Sequence, residues 1–505
     1  MSAPRHIAIV GCGFTGTSAL FQLVDGYPVE SITVFEQSGQ FGPGYAYDPA
    51  ECRDYLINNT TGTMCLAPWN RRAFLNWLEQ RPHIADTAPG GHLPRALFGE
   101  FLRDTVQAVL TVAAIKGIRV TLVPARIEAL HERDGGGVAL QWQGGQLQAD
   151  AVIVASGRCP SREPYAAAAG GRAYIASHVA TDAFDTLALG ARCCVAGASL
   201  SAYDVVNRLY SGDTGCAFVR GLDGALEFVP GPNARSVVLA SRSGRLKKMQ
   251  TVQPAPLTRR HLTDAALTGP VGMQDILRLA RLEAEAHGVQ IEWDAIFAPY
   301  DGCASSTDVT RRAGQLLAQD IAAATAGGHA NFLVDLASDV QVLLWECFAR
   351  KAFSAEEEAA YRANVEGPLS AYLAPCPVPT GEKLLALLRA GRLTVLQGVR
   401  SIEAEGQGYR IAHAHGTEHA DALIDATGSV ERDVGATALS SRFTPYARDG
   451  HAFGGADADL ATLRATGARD IYLVNMYLWG PGLYTSSAFM MATLVERLLR
   501  GLYGR

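Results

Sequence analysis

"HIAIVGCGFTGTSALFQL", residues 6–23, joins an apolar run to three glycines and then to a helical pattern. Ile7 to Val10 are β-branched or small, the composition of a strand covered on both faces, while Ala19, Leu20, Leu23 and Val24 recur at helical spacing. The stretch therefore reads as strand, tight turn and helix. Gly11, Gly13 and Gly16 fit G-x-G-x-x-G. The first permits the turn, the second admits backbone to a pyrophosphate, and the third lets helix pack on strand. Phe14 and Thr15 fall in the first turn of the helix, whose free N–H groups would face the phosphates. Further on, "SITVFEQS" reads as the second strand and ends in Glu36 and Gln37, where an acid accepts hydrogen bonds from a ribose.

The 505 residues leave room for about two to four domains, and 48% hydrophobic with 19% charged residues is enough apolar content for substantial cores. A formal charge of −6 argues against a nucleic-acid partner, which calls for a basic face. No apolar run approaches the ~20 residues that span a bilayer, so no membrane is expected either. The chain enters its first strand at His6, leaving no room for a signal peptide. Its ten cysteines are scattered, with no C-x-x-C and no metal-ligand spacing. A reduced, cytoplasmic protein without a metal is the expectation.

The opening pattern repeats. In "RCCVAGASLSAYDVVNRL" an apolar run reaches Ala196, and Gly197, Ser199 and Ala202 stand where the first copy has glycines. Serine in the middle position puts a side chain where backbone should approach phosphate, which loosens the half-site unless the hydroxyl itself donates. The next strand, "SVVLASRSG", ends not in an acid but in Ser241 and Arg242, with Arg245, Lys247 and Lys248 close behind. That arrangement suits a ribose 2′-phosphate and hence NADPH; the alternative is a solvated basic loop.

"ADAVIVASG", ending at Gly157, and "ADALIDATG", ending at Gly428, also repeat. Both are apolar strands closing on small residues, which let the chain cross close beneath a nucleotide. The order along the chain predicts an α/β protein with two Rossmann-like dinucleotide-binding domains, the second inserted into the first. The first domain is expected over residues 1–188 and 395–505, and the insert, with an additional mainly helical region, over residues 189–394.

These segments resemble the two-dinucleotide-binding-domain flavoproteins. Within them the sequence is similar to the FAD-NAD(P)-binding family that includes the flavin enzymes oxidising the amine of aspartate to nitrosuccinate. "FGPGYAY" resembles that family's glycine-rich turn, and "YLINNTTGTMCL", with Asn58 and Met64, its leucine-asparagine segment ending in methionine. "PRALFGEFLRD" resembles its arginine-aromatic-glycine helix, "SRSG" recurs in it, and "GPGLYTSSA", with Gly482 and Leu483, resembles its closing turn. The resemblance implies FAD on the N-terminal domain and NADPH on the insert. It also implies a polar loop from Asn58 to Met64 bordering the isoalloxazine ring. The activity it implies is a monooxygenase using O₂ to insert oxygen at the nitrogen of a small amine or amino-acid-like substrate.

Two departures stand out. "AYLAPCPVPTGEKLL" occupies the place of the family's histidine-arginine-rich stretch, and "YIASHVATDAF" has Ala176 where the Baeyer–Villiger signature needs glycine. His178 is therefore expected to be structural, Asp204 to anchor the second fingerprint helix, and Trp345 and Phe348 to be core residues. No protein catalytic residue is named, because the flavin carries the chemistry. A reductase or oxidase without oxygen insertion, and a protein holding FAD as a structural group, are the alternatives. Oligomeric state is open.

Overall fold

The computed structural model describes residues 3–84, 90–157, 163–179, 181–211, 214–269, 271–427, 434–437, 439–483 and 487–504. The strand His6–Val10 pairs in parallel with Ser31–Phe35 on one side and with Ala151–Val154 on the other. Arg119–Val123 and Ile471–Leu473 extend this sheet at either end, also in parallel. The helices Phe14–Gly26, Arg95–Ile115 and Ala488–Leu502 pack together against it. An antiparallel meander, Ile127–Glu132, Val138–Trp142 and Gly145–Ala149, covers the strands through Ile127, Leu130 and Leu140. Cover on both faces explains why the central strands are uninterrupted apolar runs.

The second sheet is built the same way. Arg192–Ala196 lies between Ser236–Ala240 and Ala422–Asp425, with Leu393–Leu396 and Tyr174–Ile175 beyond them, all parallel. Its own meander, Ser401–Glu405, Gly408–His413 and Gly416–Ala420, buries Ile402, Tyr409 and Ile411 against one face. The helices Leu200–Leu209 and Val378–Arg389 bury Val205, Leu384 and Leu387 against the other. The repeat extends to single hydrogen bonds. Asp150 Oδ2 accepts the N–H groups of Arg5 and His6 at 2.8 and 2.9 Å, and Asp421 Oδ2 accepts that of Arg192 at 2.8 Å.

This topology corrects both expected boundaries: the second sheet already takes up Tyr174–Ile175, before residue 188, and it keeps the chain past residue 395. That residue lies inside Leu393–Leu396, and the chain stays with the second sheet through Asp425, because "ADALIDATG" pairs with the second fingerprint strand as "ADAVIVASG" pairs with the first. The chain rejoins the first sheet at Ala458–Asp459, Arg464–Ala465 and Ile471–Leu473.

The helical region, from Met273–Ala286 to Glu366–Leu373, belongs to the insert in sequence but bridges both domains in space. Phe332, Trp345, Phe348 and Tyr361 join the core of the first domain, while Leu317 packs into that of the second. Trp345 and Phe348 are thus core residues, as expected.

Candidate functional site

Gly11 leaves its strand at φ +96°, and its N–H donates to Phe35 O at 2.8 Å. A methyl group on it would come within 2.5 Å of Ala155 O, so backbone crosses directly beneath the turn. Gly13 is the N-cap of Phe14–Gly26, and no side chain caps that first turn. A Cβ on Gly13 would meet Gly44 Cα at 3.3 Å, so the "FGPGYAY" loop lies against the fingerprint. The buried Gly16 packs helix on strand, Phe14 sends its ring toward Phe98, 6.0 Å away, and Thr15 is half-exposed. Glu36 stands at the end of the second strand. Its Oε2 accepts the Cys12 N–H at 2.9 Å, and its Oε1 accepts the N–H and hydroxyl of Ser38 at 3.1 and 2.9 Å. Gln37 beyond it is exposed. A glycine-flanked turn whose one side chain, Cys12, is buried, an uncapped helix N-terminus and an acid held beside both form a cradle that fits a dinucleotide.

The second fingerprint copies the backbone of the first. Gly197 has φ +128°, its N–H donates to Ala240 O at 2.8 Å, and a Cβ on it would stand 2.7 Å from Ala426 O. Ser199 takes the place of Gly13 as N-cap, at φ −114° and ψ −169° against −78° and −159°. Both are extended, so the serine leaves the turn undistorted. Its hydroxyl caps nothing and the residue is exposed, which leaves a donor at the helix N-terminus. Ala202, fully buried, replaces Gly16 between helix and strand. Asp204 does not cap its helix but ties it to the first domain. It forms an ion pair with Arg95 of the first domain at 2.7 Å, and burial pushes its carboxyl up to about 6 against the pull of that guanidinium.

Only part of the basic run remains free. Ser241 Oγ accepts the Gly244 N–H at 2.9 Å, and Arg242 is exposed, its guanidinium without a partner among the described residues. Arg245 donates to Ile296 O and Phe297 O at 2.9 and 3.0 Å, Lys247 to Ser370 O at 2.6 Å, and Lys248 pairs with Asp320 at 2.8 Å. These three cations hold the second domain to the helical region. The structure thus corrects the reading of the run as one cluster of free cations: Arg245, Lys247 and Lys248 are engaged elsewhere, and Arg242 keeps its guanidinium exposed.

The loop Asn58–Met64 is clamped from below. Thr61 is fully buried and donates its N–H to Gly91 O at 3.0 Å, and Met64 packs with Ile57, Phe98 and Ala488. Gln22 Nε2 joins Leu66 O to Ala492 O, at 3.0 and 3.1 Å, so fingerprint helix, loop and last helix form one unit. Asn58 and Asn59 remain half-buried, with amides unpartnered among the described residues. Gly157 O accepts the Met476 N–H at 3.1 Å, bringing the C-terminal segment alongside the first small-residue strand. Gly428 lies outside the described residues. His178 is buried at the domain crossing, where its carbonyl accepts the Tyr55 hydroxyl at 3.0 Å.

The closing turn rests on groups that the sequence did not reveal. Gly482 packs against the Trp345 ring, Leu483 is buried, and Arg362 Nη2 donates to Gly480 O and Gly482 O at 2.6 and 2.9 Å. Arg362 is held by Glu358 at 3.1 Å and Glu366 at 2.8 Å. Glu358 also accepts from the Tyr446 hydroxyl and from Arg448, at 3.1 and 3.0 Å. The i,i+4 spacing of Glu358, Arg362 and Glu366 is readable on a helix, but the reach of Arg362 to Gly480 and Gly482 joins segments far apart in the chain, and no spacing rule marks it.

Residues 8–159, which contain the first fingerprint, match the family described as FAD-NAD(P)-binding. Over 109 residues the chain is 31% identical to the uncharacterized protein YdhS of Escherichia coli K12; the match spans 20% of each protein. Three solved structures match nearly the whole chain. An ornithine N-hydroxylase from Kutzneria sp. 744 matches with TM-score 0.57 at 14% identity, over 99% of this chain and 100% of that one. An L-lysine 6-monooxygenase from Pseudomonas syringae matches with TM-score 0.56 at 16% identity, over 99% of each. A cadaverine monooxygenase from Erwinia amylovora matches with TM-score 0.57 at 11% identity, over 100% of this chain and 95% of that one. The fold is that of the two-dinucleotide-binding-domain flavoproteins. No helix among the described residues is long and apolar enough to cross a membrane.

Proposed function

We propose that the chain is an FAD-dependent, NADPH-using monooxygenase that inserts oxygen at the nitrogen of a small amine or amino-acid-like substrate. The observation that carries this reading is the paired cradle: two fingerprints of one backbone design, the first closed by Glu36 and the second by the unpartnered Arg242. In this reading Gly11, Gly13, Phe14, Thr15 and Gly16 hold the FAD pyrophosphate, and Glu36 and Gln37 its ribose. Gly197, Ser199 and Ala202 hold the NADPH pyrophosphate, and Ser241 and Arg242 its 2′-phosphate. Asn58, Asn59 and the turn at Gly482 and Leu483 flank the ring.

Bound FAD would supply the two-electron and dioxygen chemistry. The protein orients: the amides of Asn58 and Asn59, unpartnered among the described residues, offer hydrogen bonds to a ring edge, and the Trp345 ring packed on Gly482 holds the closing turn in place. Support for an amine substrate comes from the shared fold, since one neighbour's structure holds reduced FAD, NADP⁺ and L-ornithine and another acts on cadaverine. The purified chain should be yellow and should oxidise NADPH faster than NADH, and Gly13→Leu should be colourless. A Gly13→Leu protein with full flavin content would refute the assignment of FAD to the first cradle.

A further inference from the structure

The segment Glu51–Ile57 runs directly into the loop Asn58–Met64, and it is fastened to the second domain through Cys52, Asp54 and Tyr55. Cys52 Sγ stands 3.6 Å from Ser211 Oγ, and Asp54 pairs with Lys383 at 3.0 Å. The Tyr55 hydroxyl, in a fully buried residue, donates to His178 O at 3.0 Å. Arg95 completes the set. Its N–H donates to Tyr55 O at 2.7 Å, its Nε to Leu56 O at 3.0 Å, and its Nη1 reaches Asp204 Oδ2 at 2.7 Å. The side chains of Arg95 and Asp204 are only 13% and 7% exposed, so the pair is desolvated and neither partner is satisfied by water once the other is removed.

Asp204 lies on the second fingerprint helix, two residues after Ala202, and Arg95 grips Tyr55 and Leu56 in the segment that leads into Asn58. One buried ion pair therefore connects the helix whose N-terminus faces one nucleotide with the loop assigned to the other. We propose that Arg95 and Asp204 are positioning residues that set the second nucleotide domain against the loop Asn58–Met64. Through that setting they govern how fast a nicotinamide on the second domain reduces a flavin on the first. The inference rests on the proposed function for the identity of the two nucleotides. The transfer moves one hydride, so the reduced nicotinamide is oxidised as the oxidised flavin is reduced. Such a transfer demands reacting atoms within about 3–3.5 Å, and a misplacement of about 1 Å costs about 100-fold.

The test uses the full-length, flavin-loaded protein mixed anaerobically with NADPH while flavin bleaching is followed. Asp204→Asn should keep its flavin. Its limiting reduction rate should fall at least about 10-fold, while the NADPH concentration for half-saturation moves less than about threefold. A merely structural role would lower the melting temperature without splitting rate from affinity in this way. Because Asp204→Asn strands the Arg95 charge, the double variant Arg95→Met/Asp204→Leu serves as the folded control; it should recover stability and stay slow. Hydrogen exchange without NADPH supplies a second readout: amides of residues 51–64 should exchange faster in Asp204→Asn, and those of Phe14–Gly26 should not. Limiting rates within about twofold of wild type in both variants, or unchanged exchange over residues 51–64, would overturn the inference. A wild-type flavin that NADPH fails to bleach would refute the proposed function instead, and exchange alone would then decide the clamp.

Discussion

Gly11 lies so close to Ala155 that a methyl group on it would stand 2.5 Å from the Ala155 carbonyl oxygen. Gly197 bears the same relation to Ala426, at 2.7 Å. Each fingerprint thus depends on the small-residue strand of its own sheet, and damage at one should spare the other. Gly11→Ala adds left-handed strain of about 1–2 kcal/mol to the clash and should yield a colourless, less stable protein. Gly197→Ala should keep its flavin and lose NADPH binding. Flavin absorbance per chain and NADPH titration of the two variants check this.

Arg242 is the one cation of its basic run left exposed and unpartnered among the described residues. A charged hydrogen bond is worth about 1.5–3 kcal/mol, or about 10- to 150-fold in affinity. Arg242→Ala should raise KM for NADPH by a factor in that range and leave NADH nearly untouched. Equal loss with both cofactors would place Arg242 away from the 2′-phosphate.

Burial lowers the Lys247 amine from the ordinary 10.5 to about 8, with no carboxylate beside it. Between those values the unfolded chain keeps a proton that the folded chain has released, so the contribution of Lys247 to stability rises with pH from about 8 to about 10.5. At neutral pH its charge is a burden. Relative to Lys247→Met, wild type should therefore gain up to about 3 kcal/mol across that window. Melting curves of both proteins from neutral to alkaline pH read the difference directly; a constant difference would mean that the amine titrates normally.

Arg362 spans Glu358, Glu366 and two carbonyls of the closing turn. Arg362→Leu leaves the buried Glu358 with less compensation and should destabilise the protein by about 3–5 kcal/mol, as a broken buried pair does. Chemical denaturation measures it. A loss below about 1 kcal/mol would assign the turn to the Trp345 packing alone.

Both fingerprints were legible because what makes them is local: Gly11, Gly16 and the apolar strand carry their requirements within a few residues. The same locality places Glu36 at the end of the second strand, beside the turn at Cys12. The misplaced return to the first domain has the opposite cause, since the pairing of Ala422–Asp425 with Arg192–Ala196 joins strands far apart in the chain. Arg245, Lys247 and Lys248 read as company for Arg242 at a 2′-phosphate because their partners, Ile296, Ser370 and Asp320, come from the helical insertion and are distant in sequence. Arg95 and Asp204, 109 residues apart, leave no trace in any spacing rule.

The central claim is that electrons leaving the flavin reach O₂ and that one oxygen atom ends on a substrate nitrogen. The most direct measurement supplies isotopically heavy O₂ with NADPH and a panel of amino acids and small amines, then weighs the products. Heavy oxygen on the nitrogen of one product, with NADPH use stimulated by that same compound, is the predicted result. Unlabelled oxidised product, or peroxide as the only fate of O₂, would contradict the claim and identify a reductase or oxidase.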